Sequence, residues 1–210
     1  MTTTGLSNAD LWIMFALHDA FRRDAERLAR VAARFAGDDP DRRAALLVGW
    51  RLFSGELHHH HGVEDNRIWP QARERCGTEA LAVLQAMEDE HALVDPAISA
   101  VEATFEEPDC ASLPDAVEHL VGVLRSHLDH EERYALPVLQ QTITPGEWRA
   151  LSRSVQREMG LKGAATVLPW IMDDLPPRRA QQVLDELPVP MKVLYRYRWN
   201  PRYRRTRRWE

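Results

Sequence analysis

Apolar residues recur at intervals of three and four along most of the first two-thirds of the chain, which is the period of an amphipathic helix. The spacing predicts four long helices, over about residues 7–37, 39–77, 78–105 and 112–141, and no segment shows the alternation of a strand. Because the connections are short, neighbouring helices are expected to run antiparallel. The sequence therefore predicts an all-α fold, an up-down-up-down four-helix bundle over residues 1–143.

Capping residues support these limits. Ser7 precedes the first helix, Asp39-Pro40 opens the second and Ser112 stands at the start of the fourth. Such residues accept hydrogen bonds from the free backbone N–H groups of a first helical turn, where proline is also tolerated. A further capping box, Thr144-Pro145-Gly146-Glu147, predicts that another helix begins just after the bundle.

Three prolines lie inside the predicted helices. Pro70 and Pro137 come late in the second and fourth helices, and each is expected to bend or end its helix. Pro96 interrupts the third helix five residues after His91. It removes one backbone hydrogen bond, so a kink is expected just beyond that histidine.

The remaining residues, 144–210, form a C-terminal helical extension. Two short helical stretches, near 164–174 and 177–187, are separated by prolines, and arginines alternate with aromatic residues near the end. We interpret this part as an accessory region packed on the bundle, and not as a domain that folds separately.

One arrangement of histidine and glutamate occurs twice. Each copy has a lone His, then His-x-x-x-Glu on the next helix, then a proline six residues after the Glu: His18, His60, Glu64 and Pro70, and again His91, His127, Glu131 and Pro137. Residues four apart share one face of a helix, so each pair presents a nitrogen and a carboxylate together. A lone histidine is usually solvated or structural, but chance does not readily repeat the whole arrangement. The repeat predicts a dinuclear metal site inside the bundle.

The run of four histidines, 58–61, does not by itself show which of them is the ligand on the second helix, but comparison with the second copy of the repeat does. His60 and His127 each precede their proline by ten residues, which favours His60. The competing pair is His61 with Asp65, which needs only a modest rotation of the helix. We interpret His58 and His61 as surface residues or as groups behind the ligands.

The predicted donors are imidazoles and carboxylates, which suit iron, manganese or zinc. Two carboxylates on facing helices are able to bridge two ions while four histidines complete the coordination, two on each ion. Positions left open on the ions are available to a small ligand such as peroxide or dioxygen.

These motifs resemble the hemerythrin-like (HHE cation-binding) family over about residues 7–141, in its variant with four histidines and two glutamates. The resemblance rests on His18-Asp19-x-Phe21, on the two His-x-x-x-Glu motifs before Ile68-Trp69-Pro70 and Ala135-Leu136-Pro137, and on Glu90-His91. It implies a four-helix bundle with two iron ions joined by an oxo or hydroxo bridge, or manganese or zinc in their place. Glu64 and Glu131 are then the bridging carboxylates.

The chain departs from the oxygen-carrying hemerythrins at one position. Those proteins have a second histidine one turn after the third-helix ligand, where this chain has Asp95. With four histidines both ions keep open positions, which favours redox turnover or sensing over oxygen storage. Asp95 is interpreted as a solvated residue at the kink, the alternative being a carboxylate ligand; His119 and His130 are interpreted as groups behind the ligands or at the surface.

The first functional hypothesis is an oxidoreductase that consumes a small oxidant, hydrogen peroxide, in a catalase- or peroxidase-like cycle. The alternatives are a module that binds or senses oxygen, nitric oxide or iron without turnover, and a biosynthetic diiron oxygenase. A deep apolar pocket reaching the metals would favour the oxygenase.

Charge and cysteine content add two expectations. Residues 190–210 carry eight basic residues and one acidic residue, a charge of +7. Because the net charge of the whole chain is −5, the other residues together carry about −12. We expect this basic tail to dock on the acidic bundle; binding to nucleic acid or to a membrane is the lesser alternative.

Cys76 and Cys110 flank the third helix, on the order of 40 Å apart, too far for a disulfide. Without a signal sequence or membrane span, a cytoplasmic location is expected.

Overall fold

The computed structural model describes residues 5–35 and 39–209, and only the backbone of residue 186. These residues form helices and connecting turns and contain no strand. The bundle consists of α1 (Trp12–Ala32); α2 (Pro40–Val63), π1 (Glu64–Ile68) and α3 (Trp69–Arg73) in succession; α4 (Thr78–Thr104); and α5 (Leu113–His130), π2 (Glu131–Ala135) and α6 (Leu136–Thr142) in succession. Because α1 contacts α2 and α5, while α4 contacts α3 and α5, each of the four helices lies beside two others. The predicted four-helix bundle is confirmed.

The helix starts follow the capping residues in most cases. Asp39 accepts hydrogen bonds from the backbone N–H groups of the next turn at 2.9 and 3.1 Å. Thr144 and Glu147 form the predicted capping box, with the Thr144 hydroxyl donating to Glu147 at 2.7 Å. Ser112 does not cap; its hydroxyl donates to Glu107 instead. Ser7 pairs with Asp10 around a separate turn, and α1 begins only at Trp12.

Each late proline lies just beyond a π-helical turn. Glu64 and Glu131 begin π1 and π2, whose last hydrogen bonds run from the N–H of Trp69 and of Leu136 back five residues to the carbonyls of these glutamates. A proline six residues after each glutamate offers no N–H to the carbonyl four residues before it, and its ring crowds that carbonyl. The wider turn accommodates both defects. Pro96 lies inside α4, which continues past it to Thr104.

Apolar cores lie at both ends of the bundle. One core joins the start of α1 and α4 with α3 and α6, and includes Leu11, Trp69 and Met87. Toward the other end, Phe21 of α1 packs edge-on against Phe53 of α2, with ring centroids 6.0 Å apart. The histidines of the two-copy arrangement lie along the helices between these cores, so the site is enclosed above and below by apolar packing.

The chain divides into two compact units. The first contains the described residues up to Leu151 together with Arg208 and Trp209; the second is Ser152–Arg207. Helix α7 (Pro145–Ile171) starts in the first unit, and its helical geometry is interrupted at Gly160, where φ is +61°. A φ of this sign combined with its ψ of −172° is readily adopted only by glycine.

The second unit contains the rest of α7, α8 (Pro177–Glu186), α9 (Val189–Leu194), π3 (Tyr195–Trp199) and α10 (Asn200–Arg205). Its buried residues include Trp170 and Tyr203, and the Tyr203 hydroxyl donates to Asp173 at 3.3 Å. The boundary at residue 143 and the docking of the extension on the bundle stay predictions.

Two smaller points concern the described residues. Cys76 and Cys110 are free thiols, as the sequence predicted. None of the helices in ranges 5–35 and 39–209 has the length and apolar content needed to cross a bilayer.

Candidate metal centre

The six predicted ligands lie together in the middle of the bundle. They come from four different helices and all are buried: His18 from α1, His60 and Glu64 from α2 and π1, His91 from α4, and His127 and Glu131 from α5 and π2. Each glutamate stands at the first position of a π turn, one turn after its histidine. The repeated spacing in the sequence therefore corresponds to a repeated local structure.

The first group of donors is compact. His18 Nε2 lies 3.2 Å from His60 Nε2 and 3.2 Å from Glu131 Oε2, and His60 Nε2 lies 3.2 Å from Glu64 Oε1. Ligands bound at about 2.1 Å and at right angles to one another stand about 3.0 Å apart. The spacing of these atoms thus fits donors that surround one ion.

The second group consists of three histidines. His61 joins His91 and His127, with one nitrogen of each within 4.8 Å of the others. Of the two interpretations of His61, the surface residue is wrong: its side chain is 4% exposed and stacks on His91 with ring centroids 3.9 Å apart.

The two glutamates connect the groups. Glu64 places Oε1 beside His60 and Oε2 3.5 Å from His91 Nε2, so its two oxygens face different groups. Glu131 Oε2 lies 3.8 Å from His127 Nε2 as well as beside His18. This is the placement expected of carboxylates that bridge two ions.

The donor atoms lack other partners. Neither oxygen of Glu64 or Glu131, and neither Nε2 of His91 or His127, makes a hydrogen bond to any residue in the described part of the chain. Buried polar atoms without partners cost stability, and a metal ion is the partner that imidazole and carboxylate donors share. The cluster is therefore able to hold metal.

Carboxylates accept hydrogen bonds from three of the histidine rings, on the side of each ring that faces away from the centre. The Nδ1–H groups of His91, His127 and His18 donate to Asp65 at 2.8 Å, to Glu90 at 3.0 Å and to Glu132 at 2.9 Å. Such hydrogen bonds fix the ring orientation and place the Nδ1 proton, so each Nε2 is directed toward the centre and offers its lone pair once any proton there has left.

The sequence pointed only partly to these supporting residues. Asp19, Glu90 and Asp129 stand close in sequence to predicted ligands. Of these, Glu90 holds His127 and also accepts a hydrogen bond from His130 at 2.5 Å. Asp129 accepts from Arg22 at 2.8 Å instead, and Asp19 is exposed. Glu132 was missed, although a signal existed: Asp65 and Glu132 each directly follow a repeated glutamate.

Two of these carboxylates accept a hydrogen bond from a histidine of the other copy of the repeat. Asp65, in the first copy, holds His91 of the second, while Glu132, in the second copy, holds His18 of the first. The Glu132 carboxylate also accepts from Arg22 at 2.7 Å, which anchors it. Each half of the site is thus oriented by the other half.

Without a metal, the buried groups hold charge unequally. Burial disfavours the charged form of His18, but the neighbouring carboxylates of Glu131 and Glu132 outweigh it and raise its pKa to about 9. Burial likewise opposes ionisation of Glu131, yet His18 and the other histidines hold its pKa below the usual range. Burial and the charge of Glu131 raise the pKa of Glu64 well above normal. Without a metal, the centre therefore favours the charged forms of His18 and Glu131 and the neutral form of Glu64.

Several residues considered from the sequence lie outside the cluster. The Asp95 side chain is 59% exposed and lies 3.8 Å from His58, which itself donates to the Ser54 carbonyl at 2.8 Å. His119 is exposed, and His130 is partly exposed behind Glu90. Neither Asp95 nor His119 belongs to the two groups of donors.

An open groove of about 490 Å³ lies between α4 and α5. Its walls include the charged residues Glu90 and Glu118, and the only donor of the cluster among them is His127. The groove thus meets the cluster at one ring. This is not the deep apolar pocket expected of a diiron oxygenase with an organic substrate.

Comparison with known proteins gives one match. The family model described as the hemerythrin HHE cation binding domain matches residues 10–139, well over half of the chain and the part that contains every donor described above. No curated protein and no solved structure matches the chain.

Proposed function

The chain belongs to the hemerythrin HHE cation-binding family, and from that premise we propose that it is a non-haem diiron protein that reacts with a small oxidant, hydrogen peroxide in the first place. The observation that carries the proposal is the placement of Glu64, whose two oxygens face two separate groups of histidines. A site for a single ion has no need of a carboxylate in that position. His18, His60, His91 and His127 would hold the ions, with Glu131 as the second bridge.

An iron pair bound here supplies reversible electron transfer to an oxidant. The surrounding residues provide a fixed and water-poor site. Asp65, Glu90 and Glu132 orient three imidazoles, and the buried ring of Phe21, with its centroid 5.3 Å from that of His60, covers one side. In catalase-like turnover two molecules of hydrogen peroxide become two of water and one of dioxygen, so no external reductant is needed.

The test is reconstitution of the purified protein with ferrous iron, followed by metal analysis, a near-ultraviolet spectrum and a peroxide assay. We expect two iron ions per chain, the absorption of an oxo-bridged ferric pair, and peroxide consumption with release of dioxygen. Glu64→Ala should lose both ions and the activity, while His58→Ala, altered at an exposed position, should keep both. One tightly bound zinc ion per chain, without a binuclear spectrum after iron loading, would refute the diiron proposal.

A second candidate function is reversible binding of dioxygen or nitric oxide without turnover. The observation that favours it is the third histidine beside His91 and His127, because an ion with more protein ligands has fewer positions for an exogenous one. Two iron ions per chain with reversible spectral changes under oxygen, and no peroxide consumption, would select this candidate.

A further inference from the structure

We propose that His61 is a third imidazole ligand of the ion held by His91 and His127, and that it makes the two ions unequal. The inference rests on the proposed diiron function and deepens it. It assigns one ion three histidines, and it leaves the position for a small ligand on the ion at His18 and His60.

The first observation is the isolation of a buried polar ring. Neither nitrogen of His61 makes a hydrogen bond with any residue that the structure describes, although the side chain is 4% exposed. The chain pairs Nδ1 of His18, His91 and His127 with carboxylates. A leucine or phenylalanine would fill the same space without leaving polar atoms unpaired, so packing alone does not explain a histidine here.

The second observation is distance. An imidazole bound at about 2.1 Å has its ring centroid about 3.2 Å from the ion, so two such rings at right angles have centroids about 4.5 Å apart. The centroids of His61, His91 and His127 are separated by 3.9, 5.2 and 4.7 Å. The two distances to His127 lie near the value for ligation, while His61 and His91 stand closer together than it requires.

Ligation also requires one movement. His61 and His91 are stacked with their planes 12° apart, and an ion cannot lie in both planes of a parallel stack. The His61 ring must therefore turn about its Cβ–Cγ bond. A terminal torsion of this type is soft, with broad minima.

The third observation is the repeat itself. His60-His61 in the first copy corresponds to His127-Leu128 in the second, and Leu128 is fully buried. One copy thus supplies an extra donor, while the other supplies an apolar side chain at the matching position. The chain has two equivalent places for a further ligand and occupies only one of them with nitrogen.

Counting ligands gives the consequence. The ion at His61, His91 and His127 has five protein ligands with the two bridging glutamates, and a solvent bridge makes six. The ion at His18 and His60 has four, and the same bridge makes five. For octahedral ions a single vacancy remains, so an exogenous ligand binds at the His18–His60 ion. The proposal thus differs from the expectation, based on four histidines, that both ions keep open positions.

The experiment compares wild type with His61→Phe and His61→Leu, all loaded with iron. Phenylalanine keeps a flat ring for the stack on His91 but has no nitrogen, and leucine copies the second half of the repeat. His58→Phe is the matched control, because it makes the same change in the same run of histidines at an exposed position. Far-ultraviolet circular dichroism verifies that each variant is folded.

Three measurements report on the ligand. The rate of iron removal by a chelator should rise at least tenfold in both His61 variants, since changes behind a ligand already cost 10- to 100-fold in affinity. The Mössbauer spectrum of wild type should contain two different iron sites, of which only one changes in the variants. Azide should saturate at one per chain in wild type and at two in folded His61→Phe. His58→Phe should match wild type in all three.

Each outcome decides the matter. If His61→Phe retains the chelation rate, the two iron sites and one azide per chain, His61 is a packing residue and the inference is wrong. The same holds if only His61→Leu is impaired, because a flat ring then suffices. A His61 variant that does not fold leaves the azide stoichiometry of wild type to decide, and two azides per chain would overturn the inference. A wild-type protein that holds no iron pair refutes the proposed function itself.

Discussion

Replacing Gly49 by alanine should destabilise this protein, although the same change usually stabilises a helix. Gly49 lies within α2, and a Cβ added there would stand 2.7–2.9 Å from ring atoms of Trp209. Real Cβ atoms do not come so close to other atoms, so the indole must move away. In a helix interior with free space, Gly→Ala stabilises by about 0.5–1 kcal/mol.

The magnitude follows from the contact. A fully covered tryptophan side chain buries about 150–250 Å². Trp209 is only partly exposed, so its contact with the bundle is worth on the order of 100 Å², or about 2.5 kcal/mol at 25 cal/mol per Å². Subtracting the gain in helix propensity leaves a loss of about 1.5–2 kcal/mol for Gly49→Ala. In a chain of this size that lowers the melting temperature by about 4–6 °C.

A double-mutant cycle tests the reasoning by the sign of the effect. In a Trp209→Ala background the obstacle is gone, so Gly49→Ala should stabilise by about 0.5–1 kcal/mol. Gly55, on the same helix, has open space around its Cβ position, and Gly55→Ala should stabilise in both backgrounds. Thermal melts at matched metal content provide the measurement. If Gly49→Ala stabilises the full chain as much as Gly55→Ala does, Trp209 does not lie on α2 and the argument fails.

Three further predictions concern the metal and the tail. His60→Ala should lose metal while His58→Ala retains it, and equal metal contents in the two variants would contradict the choice of His60 as the ligand. Glu131→Ala should lower the metal content more than loss of one histidine does, because a bridging carboxylate serves both ions. Because His18 stays protonated up to a pKa of about 9 in the metal-free protein, a proton must leave before metal binds. Apparent zinc affinity, measured by competition, should therefore rise with pH and level off near pH 9. An affinity that does not change above pH 7 would show that metal binding does not displace a proton from His18. Deleting residues 190–210 should lower the melting temperature at unchanged metal content, whereas an unchanged melt combined with lost salt-sensitive binding to DNA or anionic vesicles would make the tail a binding arm.

The bundle could be predicted from sequence because its signals are local. Helical periodicity, the Asp39 cap and the Thr144–Glu147 box each depend on residues a few positions apart, and each appears in the structure. The start of α1 could not be located this way. Ser7 does form a capping arrangement with Asp10, but around an isolated turn, and a sequence shows the cap without showing how far the helix behind it extends.

The sequence marks six candidate donors because they repeat, and the structure brings all six together. Their role as ligands stays a prediction. The surface interpretation of His61 was wrong although neighbouring residues on a helix point about 100° apart. On a flat surface that separation would put His61 outside the site if His60 lies inside. A bundle helix, however, faces two neighbours at once, so His60 points toward His18 of α1 and His61 toward His91 of α4.

The three π turns have a consequence for insertions and deletions. Each turn begins six residues before a proline: Glu64 before Pro70, Glu131 before Pro137, and Tyr195 before Pro201 in the second unit. A π turn closes on the fifth residue where an α turn closes on the fourth, so it takes up one extra residue while the helix on either side keeps its orientation. Loss of the exposed Asn66, for example, would convert π1 into an α turn and leave Trp69 facing its core. The cost would fall on Pro70, because an α turn restores the crowding of its ring against the carbonyl four residues earlier. We expect such a deletion to bend the helix at the proline and not to rotate the residues beyond it.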